Sequence, residues 1–141
     1  MLNFNMATIY LGLGTNLGNR EDNLETAIKL LNEAKIEVLN SSRVVETKPL
    51  GALIQPQYLN QVLKVKSDLS PFQLLKKCLS IEEAMGRVRQ KKWGSRIIDI
   101  DILIYEDLFI DTENLTIPHP EIAKRKFVQD GLEELGFTLV E

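Results

Sequence analysis

The stretch "SPFQLLKKCLSIEEAMGRVRQKKWGSRIIDIDILIY", residues 70–105, decides the fold. It begins with a helix marked at both ends. Ser70 is an N-cap, Pro71 takes the first helical position, Gln73 completes a capping box and Gly86 closes the C-terminus. Leu74, Leu75, Cys78, Leu79 and Met85 give this helix a core face, and Cys78 reads there as a small packed hydrophobe. The stretch ends in a strand over about 97–104 that carries two aspartates among aliphatic residues. Asp is depleted in strands, and two in one apolar segment are costly unless something compensates their charge.

Outward from this helix–strand unit, the N-terminal half repeats the pattern. "ATIYLGLG" (7–14) is a strand running into a glycine-rich turn. "NREDNLETAIKLLNEA" (19–34) places Leu24, Ala27, Ile28 and Leu31 at helical spacing, with acids early and Asn16 or Asn19 as cap. Strands over about 36–46 and 58–66 follow, separated by the loop "TKPLGALIQPQ". The order is strand, helix, strand, strand, helix, strand. It predicts an α+β, ferredoxin-like split βαβ (βαββαβ) domain, with an antiparallel sheet and helices on one face. Residues 107–141 then form a short C-terminal extension, a hairpin around "LFIDTENLTIP" followed by one or two short helices.

A chain of 141 residues that is 44% hydrophobic has enough material for one core, so residues 1–141 are read as one domain, with 1–5 an N-terminal extension ahead of Met6. Lys+Arg 17 against Asp+Glu 20 argues against nucleic-acid or membrane partners. The aromatic content of 6%, with no K/R-G-F/Y-G/A-F motif, argues further against an RNA-binding module of the same fold class. A single cysteine offers neither an internal disulfide nor zinc spacing, which suits a reducing cytoplasm. No apolar run approaches transmembrane length.

The chemistry concentrates around the two aspartates. Alternation puts Ile98, Ile100, Ile102 and Ile104 on one face, and Asp99, Asp101 and Leu103 on the other. The aspartates' Cα atoms are then roughly 6.5–7 Å apart, close enough for the carboxylates to converge on a hard cation such as Mg²⁺. Just upstream, Arg87, Arg89, Lys91, Lys92 and Arg96 make a local anion site in an acidic chain. Cations flanking a metal-binding pair suit a nucleotide polyphosphate with Mg²⁺. "GLGTNLGN" lacks the spacing of a dinucleotide fingerprint and any GK[ST], so it reads as a tight turn and helix start. Trp93 and Tyr58 offer planar surfaces, and a buried Asn60 could pair bidentately with a heterocycle edge. His119, between two prolines, is either a turn residue or a phosphate neighbour.

These residues resemble the 6-hydroxymethyl-7,8-dihydropterin pyrophosphokinases of folate biosynthesis. Their signature runs basic, any, Gly, small, Arg, two residues, Asp, aliphatic, Asp, two aliphatics. Lys92-Trp93-Gly94-Ser95-Arg96-Ile97-Ile98-Asp99-Ile100-Asp101-Ile102-Leu103 matches it throughout. "GLGTNLGN", "TKPLG", "QPQYLN", "GRVR" and "IPHPE" also stand where the family has equivalents, over about residues 6–128.

The resemblance implies transfer of pyrophosphate from ATP to the pterin's hydroxymethyl group, releasing AMP, by a cytoplasmic enzyme expected to be a monomer with these small molecules as its partners. It implies that Asp99 and Asp101 hold two Mg²⁺ ions, and that Arg87, Lys92 and Arg96 act with them in catalysis. Glu82, Arg87, Lys92, Arg96, Ile102, His119 and Arg125 match ATP-site positions. Thr47, Leu50, Tyr58, Asn60, Trp93, Asp99 and Phe127 match the pterin pocket, with the ring between Trp93 and Phe127. Lys92 stands where members often carry Arg, which turns a forked phosphate contact into a point charge. After Val128 the chain is shorter and more polar than the family usually is.

Overall fold

Strand β1 (Ala7–Thr15) is paired on both sides and forms the axis of the sheet. The computed structural model describes residues 6–48, 57–86 and 97–138. Helix α1 (Arg20–Glu33) follows β1, then strands β2 (Glu37–Ser41), β3 (Val45–Thr47) and β4 (Tyr58–Ser67). Helix α2 (Pro71–Ala84) leads to β5 (Asp99–Tyr105). The sheet order is β2-β4-β1-β5, with β3 also on β4, and every pairing is antiparallel. This is the expected ferredoxin-like βαββαβ arrangement. The extension adds the hairpin β6 (Ile110–Asp111) and β7 (Thr116–Ile117), a 3-10 helix at Pro120–Ala123 and helix α3 (Lys126–Glu134).

Local chemistry explains the boundaries. Gln73 N donates to the Ser70 hydroxyl at 3.3 Å while Ser70 N donates to the Gln73 side chain at 2.9 Å, closing the capping box. Gly86 leaves α2 with φ +93°. Of the two candidate caps of α1, Asn19 is the one used, accepting from Asp22 N at 3.1 Å; Asn16 is fully buried instead. "GLGTNLGN" divides differently from the expected turn, because Gly12 and Gly14 sit inside β1 and only Gly18, at φ +75°, turns the chain. The single strand expected over 36–46 is two. Ser42 breaks it by giving its N–H to Val62 O and accepting Val62 N–H with its hydroxyl, both at 2.8 Å.

One face of the sheet packs on α1 and α2. Leu24, Ala27 and Leu31 meet Leu74, Cys78 and Ile81 over Ile9, Leu11, Leu63, Ile98, Ile100 and Ile102. Leu79 is not part of this face; it is 44% exposed, and the next helical turn buries Ile81 and Glu82 in its place. The extension covers part of the other face, where Val128, Leu132 and Leu135 pack on Tyr10, Val62, Leu103 and Ile104. Ile104 therefore does not continue the Ile98–Ile102 stripe. A register shift between Tyr10 and Leu11 leaves Leu103 as an extra residue, and this bulge turns Ile104 to the α3 side. Gly131 lets α3 approach, since a Cβ there would lie 2.5 Å from Val62 Cγ2. Among the described residues no helix is long and apolar enough to cross a membrane.

Candidate active site

Beyond the area covered by α3, the second sheet face carries a cross-strand row. Asp99 pairs with Gly14, Gly14 with Asn60, and Asn60 with Val45. Residues directly opposite share a face, so these four point the same way. Two strand spacings separate Asn60 from Asp99, about 9–10 Å of backbone, with only a glycine between them. Tyr58 lies two residues from Asn60 on the same face. A Cβ at Gly14 would stand 3.5 Å from Asn60 Oδ1 and 3.7 Å from Tyr58 Cδ1. In the next row Asp101 pairs with Gly12, whose empty position is filled by the Leu103 side chain at 3.4 Å. Among the described residues, the result is a strip of sheet that carries no side chain at Gly14 and has a polar group at each end.

At one end, Asn60 is 6% exposed and gives both amide hydrogens to β3, to Val45 O at 3.1 Å and Thr47 Oγ1 at 2.7 Å. This corrects the expectation of a bidentate donor–acceptor pairing from Asn60 alone. With its hydrogens engaged it offers an acceptor, Oδ1, and the Thr47 hydroxyl supplies the adjacent donor. Phe127 and Asn60 line one cleft with Val45, Val62 and Gly131, so two of the pterin-pocket candidates from distant parts of the chain converge.

At the other end, Asp99 is half-buried and Asp101 exposed. Between them, Ile100 N donates to Glu82 Oε2 at 2.7 Å. That N–H points away from β1, and alternation along the strand directs the Ile102 main-chain groups the same way. The Ile102 side chain itself is buried in the helix-side core. Glu82 is 4% exposed at the end of α2. One turn earlier, burial and then the charges of Glu82 and Asp101 push the Cys78 thiol from its ordinary 9.0 up to about 12. The thiol is therefore a protonated core group, as its pattern predicts.

No group of three or more His, Cys, Asp or Glu gathers among the described residues. Two strand carboxylates alone still fit Mg²⁺, which is commonly held by one or two carboxylates and completed by phosphate oxygens and water.

The remaining candidates divide. His119 donates its backbone N–H to Leu103 O at 2.9 Å, and its Nδ1 accepts from Glu121 N at 3.1 Å. It is thus the turn residue that starts the 3-10 helix, and an Nδ1 acceptor leaves Nε2 as the proton-bearing atom. The Arg125 guanidinium lies 3.5 Å from Glu121 Oε1 and 5.9 Å from the Phe127 ring centre. Arg87, Lys92, Trp93, Arg96 and Leu50 lie outside the described residues. Sequence reasoning missed Gly14 as a clearance in the sheet. The available signal was a glycine at the alternate, non-core position of an otherwise well-formed strand.

Fold and site together define a ferredoxin-like domain whose second sheet face runs from a buried amide to a carboxylate pair. The model of the 7,8-dihydro-6-hydroxymethylpterin-pyrophosphokinase (HPPK) family matches residues 10–136, and the chain belongs to this family. It is 40% identical over 136 residues to a 2-amino-4-hydroxy-6-hydroxymethyldihydropteridine pyrophosphokinase of Haemophilus influenzae, covering 96% of this chain and 85% of the relative. It is 47% identical over 130 residues to the Aquifex aeolicus protein of the same description, covering 92% and 81%. Its fold resembles the wild-type Plasmodium falciparum HPPK-DHPS solved with SDX-DHP, at TM-score 0.67 and 19% identity. That match takes in 87% of this chain and 39% of the longer Plasmodium chain.

Proposed function

We propose that the chain is an ATP- and Mg²⁺-dependent pyrophosphokinase that converts 6-hydroxymethyl-7,8-dihydropterin to its pyrophosphate ester, releasing AMP, in folate biosynthesis. The observation that carries this reading is the row Asn60–Gly14–Asp99. A flat bicycle whose amide edge meets Asn60 Oδ1 and the Thr47 hydroxyl can lie across Gly14 with its hydroxymethyl arm at Asp99. Tyr58, Phe127, Trp93 and Leu50 would enclose the ring. Family membership and the descriptions of the relatives support the same substrate.

Asp99 and Asp101 would hold the metal, taken here as two Mg²⁺ ions. When bound, Mg²⁺ neutralises phosphate charge and favours the alkoxide character of the attacking hydroxyl. The protein's own part is positioning and charge compensation, which phosphoryl transfer needs more than covalent help. Arg87, Lys92, Arg96, His119 and Arg125 would bind the triphosphate, with His119 donating from Nε2. The main chain of Ile102 would meet the nucleotide at the outward side of β5. The enzyme would act as a cytoplasmic monomer.

Product analysis after mixing the protein with ATP, Mg²⁺ and the pterin tests this. AMP should form only with pterin present and be largely lost in Asp99→Ala and Asp101→Ala. ADP as the nucleotide product, or no turnover, would refute the assignment.

A further inference from the structure

We infer that Glu82 is a positioning residue, which sets β5 through the main chain of Ile100 so that Asp99 and Asp101 face one cation site, and which does not itself touch the nucleotide. The inference rests on the reading of Asp99 and Asp101 as cation ligands.

Glu82 has a place in the ATP site by resemblance, but its geometry points elsewhere. Its carboxylate is 4% exposed, and Oε2 receives the Ile100 N–H at 2.7 Å. Burying a carboxylate is costly, and an apolar side chain one turn after Cys78 would fill the same place at less expense. What an apolar residue cannot supply is an acceptor for an N–H that points away from the sheet. A carboxylate supplies a charge-assisted bond, stronger and more directional than a neutral one.

The position of that N–H matters. Ile100 is flanked by the two aspartates, and a rotation of the peptide that carries its N–H would turn Asp99 directly and tilt the strand that carries Asp101. α2 thereby anchors the peptide that joins Asp99 to Ile100, one residue ahead of Asp101. Partners that orient metal-binding carboxylates commonly matter almost as much as the ligands.

The test is Mn²⁺ binding to the full chain, followed by electron paramagnetic resonance with a non-hydrolysable ATP analogue present. Glu82→Ala, Glu82→Gln, Asp99→Ala and Asp101→Ala are compared with the parent, with melting curves for each. Glu82→Ala should weaken Mn²⁺ binding about tenfold or more, whereas Glu82→Gln, which keeps an oxygen acceptor, should stay much closer to the parent. Affinity for the metal-free analogue should be unchanged in both. If Glu82→Ala does not fold, Glu82→Leu, closer in volume, takes its place.

Equal losses in Glu82→Gln and Glu82→Ala would overturn the inference in favour of a purely electrostatic role. Weaker binding of the metal-free analogue would overturn it in favour of a nucleotide contact. Parent-like Mn²⁺ binding in Glu82→Ala, with both aspartate variants impaired, would overturn it outright. Parent-like binding in the aspartate variants would instead remove the reading on which it rests.

Discussion

Asn60 donates its side-chain amide to the Thr47 hydroxyl oxygen across 2.7 Å, joining β4 to β3 beneath the proposed pterin edge. The bond orients two groups at once, because it turns Asn60 Oδ1 and the Thr47 hydroxyl hydrogen outward as an acceptor–donor pair. Thr47→Val keeps the shape and removes the acceptor, leaving a buried amide hydrogen unpaired at about 1–3 kcal/mol. Pterin affinity should fall roughly tenfold or more while ATP affinity holds. Titration calorimetry with each substrate separately checks this.

Gly14 separates folding from binding. Its φ lies outside the left-handed range, and an added Cβ meets Asn60 and Tyr58 at ordinary contact distances. Gly14→Ala should therefore melt at the same temperature or slightly higher, since losing glycine's unfolded-state freedom is worth about 0.4–1 kcal/mol. The methyl group would nonetheless stand on the strip that the pterin must cross. KM for the pterin should rise well beyond any change in KM for ATP, and steady-state kinetics beside a melting curve would show both effects.

Gly131 should behave in the opposite way. In an exposed helix, alanine would gain about 1 kcal/mol over glycine. Here the new Cβ would lie 2.5 Å from Val62 Cγ2, a branched side chain on a central strand. Overpacking of this kind costs about 1–3 kcal/mol and should outweigh the helical gain. Gly131→Ala is expected to lower the denaturation midpoint in urea.

Cys78 couples the core to pH. Its folded pKa, raised from 9.0 to about 12, exceeds the unfolded one, so its stabilising contribution is complete below pH 9. Between pH 9 and about 12 the unfolded thiol ionises while the folded one does not, and stability is lost. The stability advantage of the parent over Cys78→Ala should accordingly shrink across that window. Alkylation by iodoacetamide at pH 8 should be slow and follow global unfolding.

The parts of this structure that the sequence made legible are those governed by neighbours in the chain. Ser70, Pro71 and Gln73 satisfy one another locally, so the start of α2 could be read directly. Asp99 and Asp101 stand out because strands rarely tolerate them. The missed features depend on distant partners. Leu103 and Ile104 are both apolar, and nothing local says which one a bulge will turn. Ser42 breaks its strand only because Val62 lies opposite. "QDGLEELGF" looks polar in composition, yet Leu132 and Leu135 join Val128 on one apolar side. Gly14 reads as a turn residue until β4 and β5 show what its missing side chain leaves open.

The row through Asp99, Gly14 and Asn60 also bears on how the protein comes into being. Its members arrive from the first, fourth and fifth strands of the sheet, so no nascent chain ending before Tyr105 contains the whole of β5 and the site. A ligand that needs the whole row binds the finished sheet and not its precursors, and mass action then stabilises the native state by RT ln(1 + [L]/Kd), which grows with ligand concentration. Substrate supply would thus act as a folding aid late in synthesis, holding together a sheet in which the pairings of β1 are the most remote in the sequence.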